Sequence, residues 1–161
     1  MPHMNLTTFK RIAAAAAIMV VSGAQAADGL NALAGSWSGS GTINMTSGAS
    51  ERLRCRATYN VAGGGSSLTQ DLRCASDSYR VDITSNVALN GSALTGSWTE
   101  TTRGVSGQVN GKLNGSDITA TIAGAAFSAG LGIGTRGNNQ TINIRVNGGD
   151  VSTVSLNLKK N

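Results

Sequence analysis

Three groups of side chains have the types and spacing to do chemistry. The first is a file of basic residues at every second position, Arg52, Arg54 and Arg56. In an extended chain that spacing puts all three guanidiniums on one face, about 6.6 Å apart. Folding this stretch back on Leu68 to Cys74 brings Arg73 opposite Arg56. Four such groups can hold the phosphate, sulfate or carboxylate groups of an anionic polymer, a lipid surface or a protein. No aromatic residue interleaves them, so base stacking and sequence-specific nucleic-acid recognition are not expected. The competing role for the same face is a charged wall that keeps strands of different molecules from pairing, with Asp71 and Glu51 as local partners.

The second group is aromatic. Trp37, Tyr59, Tyr79, Trp98 and Phe127 all fall on the parity that alternation turns inward, and Glu100 shares it. Together they could line a pocket, mostly apolar with a few polar tips, for a small apolar or amphipathic molecule. Glu100 reads as a strand-end residue, solvated at the barrel mouth or paired with Arg103; the other reading is a carboxyl that could have its pKa raised by the Trp98 indole beside it. The same inward parity carries Gly39, Gly41, Gly96, Gly107, Gly111 and Gly124. Residues that small leave either a cavity or a flattened, closely packed barrel.

The third group is Cys55 and Cys74, the only cysteines. They land opposite one another in the hairpin turned by Gly63-Gly64-Gly65 and are expected to form one disulfide. The same fold of the chain sets Val61 against Leu68, Tyr59 against Gln70 and Ala57 against Leu72.

Absences bound the rest. The sole histidine, His3, sits ahead of the expected cleavage point, so no Ser-His-Asp triad, Cys-His pair or HExxH zinc site can be assembled from the mature chain. A bonded cysteine pair leaves no thiolate. The sequence therefore reads as that of a protein that is not an enzyme, with no metal or cofactor implied. Gly130 to Gly137 (GLGIGTRG) has the look of a phosphate cradle, but a strand rather than a helix follows it.

These groups must be positioned by something, and the chain offers only strands. Residues 1–26 read as an export signal: Lys10 and Arg11, an apolar run from Ile12 to Val21, then Ala24-Gln25-Ala26 as a cleavage site. Removal of Lys10 and Arg11 takes the net charge from +5 to +3. Residues 27–161 are expected to form one domain, periplasmic or secreted, a compartment that suits the disulfide. They alternate apolar and polar in about ten short runs, with no sustained helical period. Asn90-Gly91 and Asn114-Gly115 read as two-residue turns. Centred there, they set Leu94 opposite Val87, Trp98 opposite Ile83, Glu100 near Val81, and Lys112 opposite Asp117. The last hairpin, about Gly148-Gly149-Asp150, sets Ile144 against Val154 and Ile142 against Leu156.

Strands joined by tight turns are antiparallel, and one apolar face per strand requires the sheet to close or fold over. The expected fold is all-β: an up-and-down antiparallel barrel of about 8–10 strands, with a two-sheet β-sandwich as the alternative. A membrane-spanning barrel needs an outward apolar band; here the outward face is Ser, Thr, Asn and Arg.

Gly35-Ser36-Trp37, at the head of the first strand, resembles the Gly-x-Trp signature of the lipocalin and calycin group. The resemblance implies a barrel of 8–10 strands that often carries small apolar ligands. It also implies a basic side chain covering the tryptophan from the end of the barrel, for which Arg136, Arg145 and Lys159 are candidates. The chain looks as well like small exported bacterial proteins of unknown function.

Overall fold

The computed structural model describes residues 29–161. The expected signal segment and its cleavage point after Ala26 lie outside the described residues. A short 3-10 turn, Gly29–Leu33, precedes ten strands: β1 (Gly35–Met45), β2 (Ser50–Ala62), β3 (Ser67–Ala75), β4 (Arg80–Asn90), β5 (Ala93–Glu100), β6 (Val105–Asn114), β7 (Asp117–Gly124), β8 (Ser128–Arg136), β9 (Asn139–Asn147) and β10 (Val151–Lys160). Every strand pairs antiparallel with its sequence neighbours, and β10 closes on β1. The result is one closed ten-stranded up-and-down barrel rather than a two-sheet sandwich. Alternation is the cause: in β2, Leu53, Cys55, Ala57 and Tyr59 are buried while Arg52, Arg54 and Arg56 are exposed.

The cysteine hairpin forms in the expected register. Val61 pairs with Leu68, Tyr59 with Gln70, Ala57 with Leu72, Cys55 with Cys74 and Arg56 with Arg73. Cys55 and Cys74 are bonded, their Cα atoms 4.2 Å apart, close to the spacing of a non-hydrogen-bonded antiparallel pair. The last hairpin also pairs as expected, Ile144 with Val154 and Ile142 with Leu156.

Two registers differ from expectation. Asn90 pairs with Ala93 and Asn114 with Asp117, so the turns are Gly91-Ser92 and Gly115-Ser116. The reason is backbone geometry. An Asn-Gly centre needs positive φ at both residues, and among the described residues only glycines take it, Gly91 and Gly115 both at 62°. Consequently Val87 faces Gly96, Trp98 faces Ser85 and Glu100 faces Ile83. Lys112 faces Thr119, not Asp117. The displacement is two residues in each case, so every side chain keeps its face.

The inward glycines are points of close approach. A Cβ on Gly39 or Gly41 would fall 2.0 or 1.8 Å from carbonyl oxygens of β10. One on Gly107 would fall 1.7 Å from a carbonyl of β7, and one on Gly96 2.1 Å from a carbonyl of β4. β1 and β6 lie on opposite sides of the ring, so close backbone approach without side chains recurs on two facing sides of the wall. These four glycines therefore make room for neighbouring backbone, the closely packed of the two arrangements that small inward residues allow.

Candidate functional site

The barrel has one plugged end. Leu30 and Leu33 of the 3-10 turn are fully buried there, and the Leu30 N–H donates to the Gly65 carbonyl at 3.0 Å. Trp37, at 0% exposure, donates its indole N–H to the Leu33 carbonyl at 2.8 Å. Tyr59 donates its hydroxyl to Gln140 Oε1 at 2.9 Å, and Gln140 Nε2 donates to Thr135 Oγ1 at 3.2 Å. Burial holds the Tyr59 hydroxyl well above the ordinary phenol range. Trp37 and Tyr59 are thus packed and satisfied, with no polar atom left to offer.

The basic group over Trp37 is Lys160, its Nζ 5.2 Å from the ring centroid. None of the three expected residues takes that place. Arg136 forms a two-pronged pair with Asp117, at 2.7 and 3.0 Å, and Lys159 and Arg145 point outward. The Trp37 to Lys160 backbone pairing that closes the ring sets the position.

The other four aromatic-group residues lie at the opposite end. Tyr79 sits half-buried just before β4, Trp98 and Glu100 end β5, and Phe127 stands between β7 and β8. Trp98 and Phe127 meet with ring centroids 5.6 Å apart. Both rings lie over Gly124: a Cβ there would touch Phe127 Cε1 at 3.0 Å and Trp98 Cζ2 at 3.3 Å. The six residues therefore do not form one pocket but divide between the two ends.

Of the two roles expected for Glu100, the structure shows the strand-end residue paired with Arg103. Burial pushes its carboxyl up, but hydrogen bonds from the Thr102 hydroxyl and from the N–H groups of Asp82, Arg103 and Thr102 outweigh this and hold it below the usual carboxylate value. Arg103 adds an ion pair at 3.7 Å. A carboxylate that accepts from so many donors is a clamp on the β5–β6 connection. It is not the raised-pKa acid that proximity to an indole suggests.

Trp98 is the opposite case. Its residue is 5% exposed, and its Nε1 is buried with no hydrogen-bond partner among the described residues. The inward neighbours across β4 and β3 are Ser85 and Gln70. Neither makes a side-chain hydrogen bond among the described residues, although Ser85 is only 6% exposed. Three adjacent donors, Gln70 amide, Ser85 hydroxyl and Trp98 indole, thus sit in one row on the inner wall. Apolar Leu72, Ile83 and Val87 flank them. Alternation puts Gln70 and Ser85 on the inward parity, but only the register shows that they join Trp98.

On the outer wall, Arg52, Arg54, Arg56 and Arg73 are all exposed. They line a depression of roughly 520 Å³ together with Arg80, which joins through the β3–β4 pairing opposite Ala75. The expected local partners are engaged elsewhere or apart. Glu51 accepts from Ser76 Oγ and the Ser78 N–H, which hold its carboxyl below the usual value. Asp71 makes no salt bridge among the described residues. The acid in the depression is Asp82, 3.7 Å from Arg80.

The fold and this arrangement define a closed ten-stranded antiparallel barrel. Among solved structures, the chain is similar to Rv2717c from M. tuberculosis, with a TM-score of 0.67 at 12% identity, covering 82% of this chain and 94% of that one. It is also similar to the S-type phycobiliprotein lyase CPES from Guillardia theta, with a TM-score of 0.61 at 9% identity, covering 82% and 90%. No protein-family model matches the chain, and no curated protein matches it. At these identities the likeness is one of fold. It still corrects the expectation that the chain is not an enzyme. A barrel of this shape carries a protein named as a lyase, so a missing histidine and thiolate do not settle the question. No helix among the described residues is long and apolar enough to cross a membrane.

Proposed function

We propose that this is an exported barrel that binds a small, largely apolar molecule bearing a hydrogen-bond acceptor, at the end of the barrel marked by Trp98 and Phe127. The observation that carries the reading is the buried, unpartnered Trp98 N–H beside Ser85 and Gln70. Leaving a buried donor unsatisfied costs about 1–3 kcal/mol, a cost that a bound carbonyl or carboxylate would remove. An apolar wall with a few convergent polar groups is the common form of a small-molecule site. Leu30, Leu33 and Trp37 fill the opposite end, which is why the proposed site lies at the Trp98 end. The Cys55–Cys74 bond supports an oxidising compartment, periplasmic or extracellular.

The test is a titration with a fluorescent fatty-acid analogue, following tryptophan emission in Trp37→Phe and Trp98→Phe variants. Saturable quenching that persists in Trp37→Phe and weakens about tenfold in affinity in Trp98→Phe is the expected result. Absence of saturable binding, or equal binding of the analogue's hydrocarbon counterpart, would overturn the reading.

A further inference from the structure

The outer wall carries a depression separate from the barrel interior. Outward residues align across the sheet in rows. One row runs Ser40, Arg54, Ala75, Arg80; the next runs Ser38, Arg56, Arg73, Asp82. Ala75 is therefore a gap with Arg54 on one side and Arg80 on the other, and Arg73 two residues away on its own strand. Adjacent strands stand about 4.8 Å apart, so three long guanidinium stems rise around a position occupied by a single methyl group. Five arginines and one carboxylate line this depression. Its only ion pair among the described residues joins Arg80 to Asp82.

The depression does not stop at the arginines. A second one, of roughly 400 Å³, shares Ser40 and Arg52 with it and continues over Thr42, Ser50 and Asn157. Together they make a trough following β2 from Arg56 to Ser50, about 20 Å at 3.3 Å per residue. Its floor is hydroxyl and amide groups: Ser40 already accepts a hydrogen bond from Arg52 Nη2 at 3.2 Å. Glu51 also borders the second depression, with its carboxylate occupied by Ser76 and Ser78.

We infer that this trough binds a linear acidic polysaccharide, its sulfate or carboxylate groups seated among Arg54, Arg56, Arg73 and Arg80 and its hydroxyls on the Ser/Thr/Asn floor. The length of the trough selects an extended chain over a single anion. Arginine forks fit planar and tetrahedral oxyanions with two parallel bonds. The floor supplies neutral hydrogen-bonding partners for sugar hydroxyls. No aromatic lines either depression, so nucleobases have nothing to stack on. The exposed large hydrophobic residue among the described ones, Val105, belongs to the far side of the barrel, so this face has no anchor to insert into a bilayer.

The experiment measures binding of the purified protein to heparin by calorimetry in about 150 mM salt, alongside phosphatidylglycerol vesicles and an oligothymidylate. Heparin is expected to bind best. The double change Arg54→Ser/Arg56→Ser should weaken it at least tenfold. Ala75→Glu, which puts a carboxylate in the gap, should do the same. Lys112→Ser/Arg145→Ser removes equal charge elsewhere and should change it less than twofold. Circular dichroism matching the parent establishes folding of each variant, and Ala75→Glu serves as the second variant should the double change not fold. The inference is overturned by no heparin binding, by equal loss in the Lys112/Arg145 control, or by tighter binding to vesicles or oligothymidylate.

Discussion

Lys160 lies across the face of Trp37, its Nζ 5.2 Å from the ring centroid, at the seam where the last strand meets the first. Its stem also covers Gly35, where a Cβ would touch Lys160 Cε at 3.4 Å. One side chain thus shields both the ring and the glycine that starts β1. A cation over an indole contributes about 0.5–1 kcal/mol at an accessible site. Lys160→Ala is expected to lower stability by about 1 kcal/mol, read as a shift in the urea midpoint. Lys160→Arg should restore it, because guanidinium stacks as well as ammonium does.

The Cys55–Cys74 bond joins residues 19 apart in the chain. The chain-entropy relation gives about 3 kcal/mol for a loop of that length. Replacing both cysteines by serine is expected to lower unfolding free energy by about that amount while the strand spectrum in circular dichroism is kept. The fold should survive because Leu53, Ala57 and Leu72 remain packed around the site.

That hairpin was legible from sequence because three glycines fix the turn and the alternation on both arms has the same phase. The two Asn-Gly hairpins were legible in face but not in register. Nothing in the letters says that Gly91 would open its turn and that Asn90 would stay in the strand. The arginine file was equally plain, yet Arg80 joins it only through the β3–β4 register. Lys160 could not be chosen over Arg136, Arg145 and Lys159, since the choice depends on how strands more than a hundred residues apart close the ring. The interior donors share this limit: Gln70, Ser85 and Trp98 become one row only once three strands are aligned.

Glu100 gives a pH signature. Its carboxyl titrates below its ordinary value of 4.5 in the folded protein. The unfolded chain therefore takes up the proton first as pH falls, and the stabilisation present above about pH 4.5 is lost as pH drops through the folded pKa. Glu100→Gln is expected to lower stability by about 1–2 kcal/mol at pH 7, since a neutral amide accepts more weakly from Asp82, Thr102 and Arg103. The gap between parent and variant should close on acidification. Urea midpoints between pH 3 and 7 check this; a gap that stays constant would contradict the clamp. Glu51 and Asp117, also held below their ordinary values, leave the variant with a residual acid slope.

The two kinds of glycine in the wall should respond oppositely to one added methyl group. At Gly107 a Cβ would meet the Ala123 carbonyl oxygen at 1.7 Å and Trp98 Nε1 at 2.9 Å. Backbone and a packed indole would both have to move, where β6 pairs with β7. At Gly132 a Cβ would meet nothing within 4 Å, and φ lies outside the left-handed region. There alanine only narrows the freedom of the unfolded chain, a gain of about 0.4–1 kcal/mol where the native conformation suits it. Gly107→Ala is expected to cost more than 2 kcal/mol and to shift Trp98 emission, a penalty of the size that overpacking produces. Gly132→Ala should be neutral or stabilising by up to about 1 kcal/mol. Thermal melts followed by tryptophan fluorescence separate the two. Equal effects would mean that the space beside Gly107 is open after all.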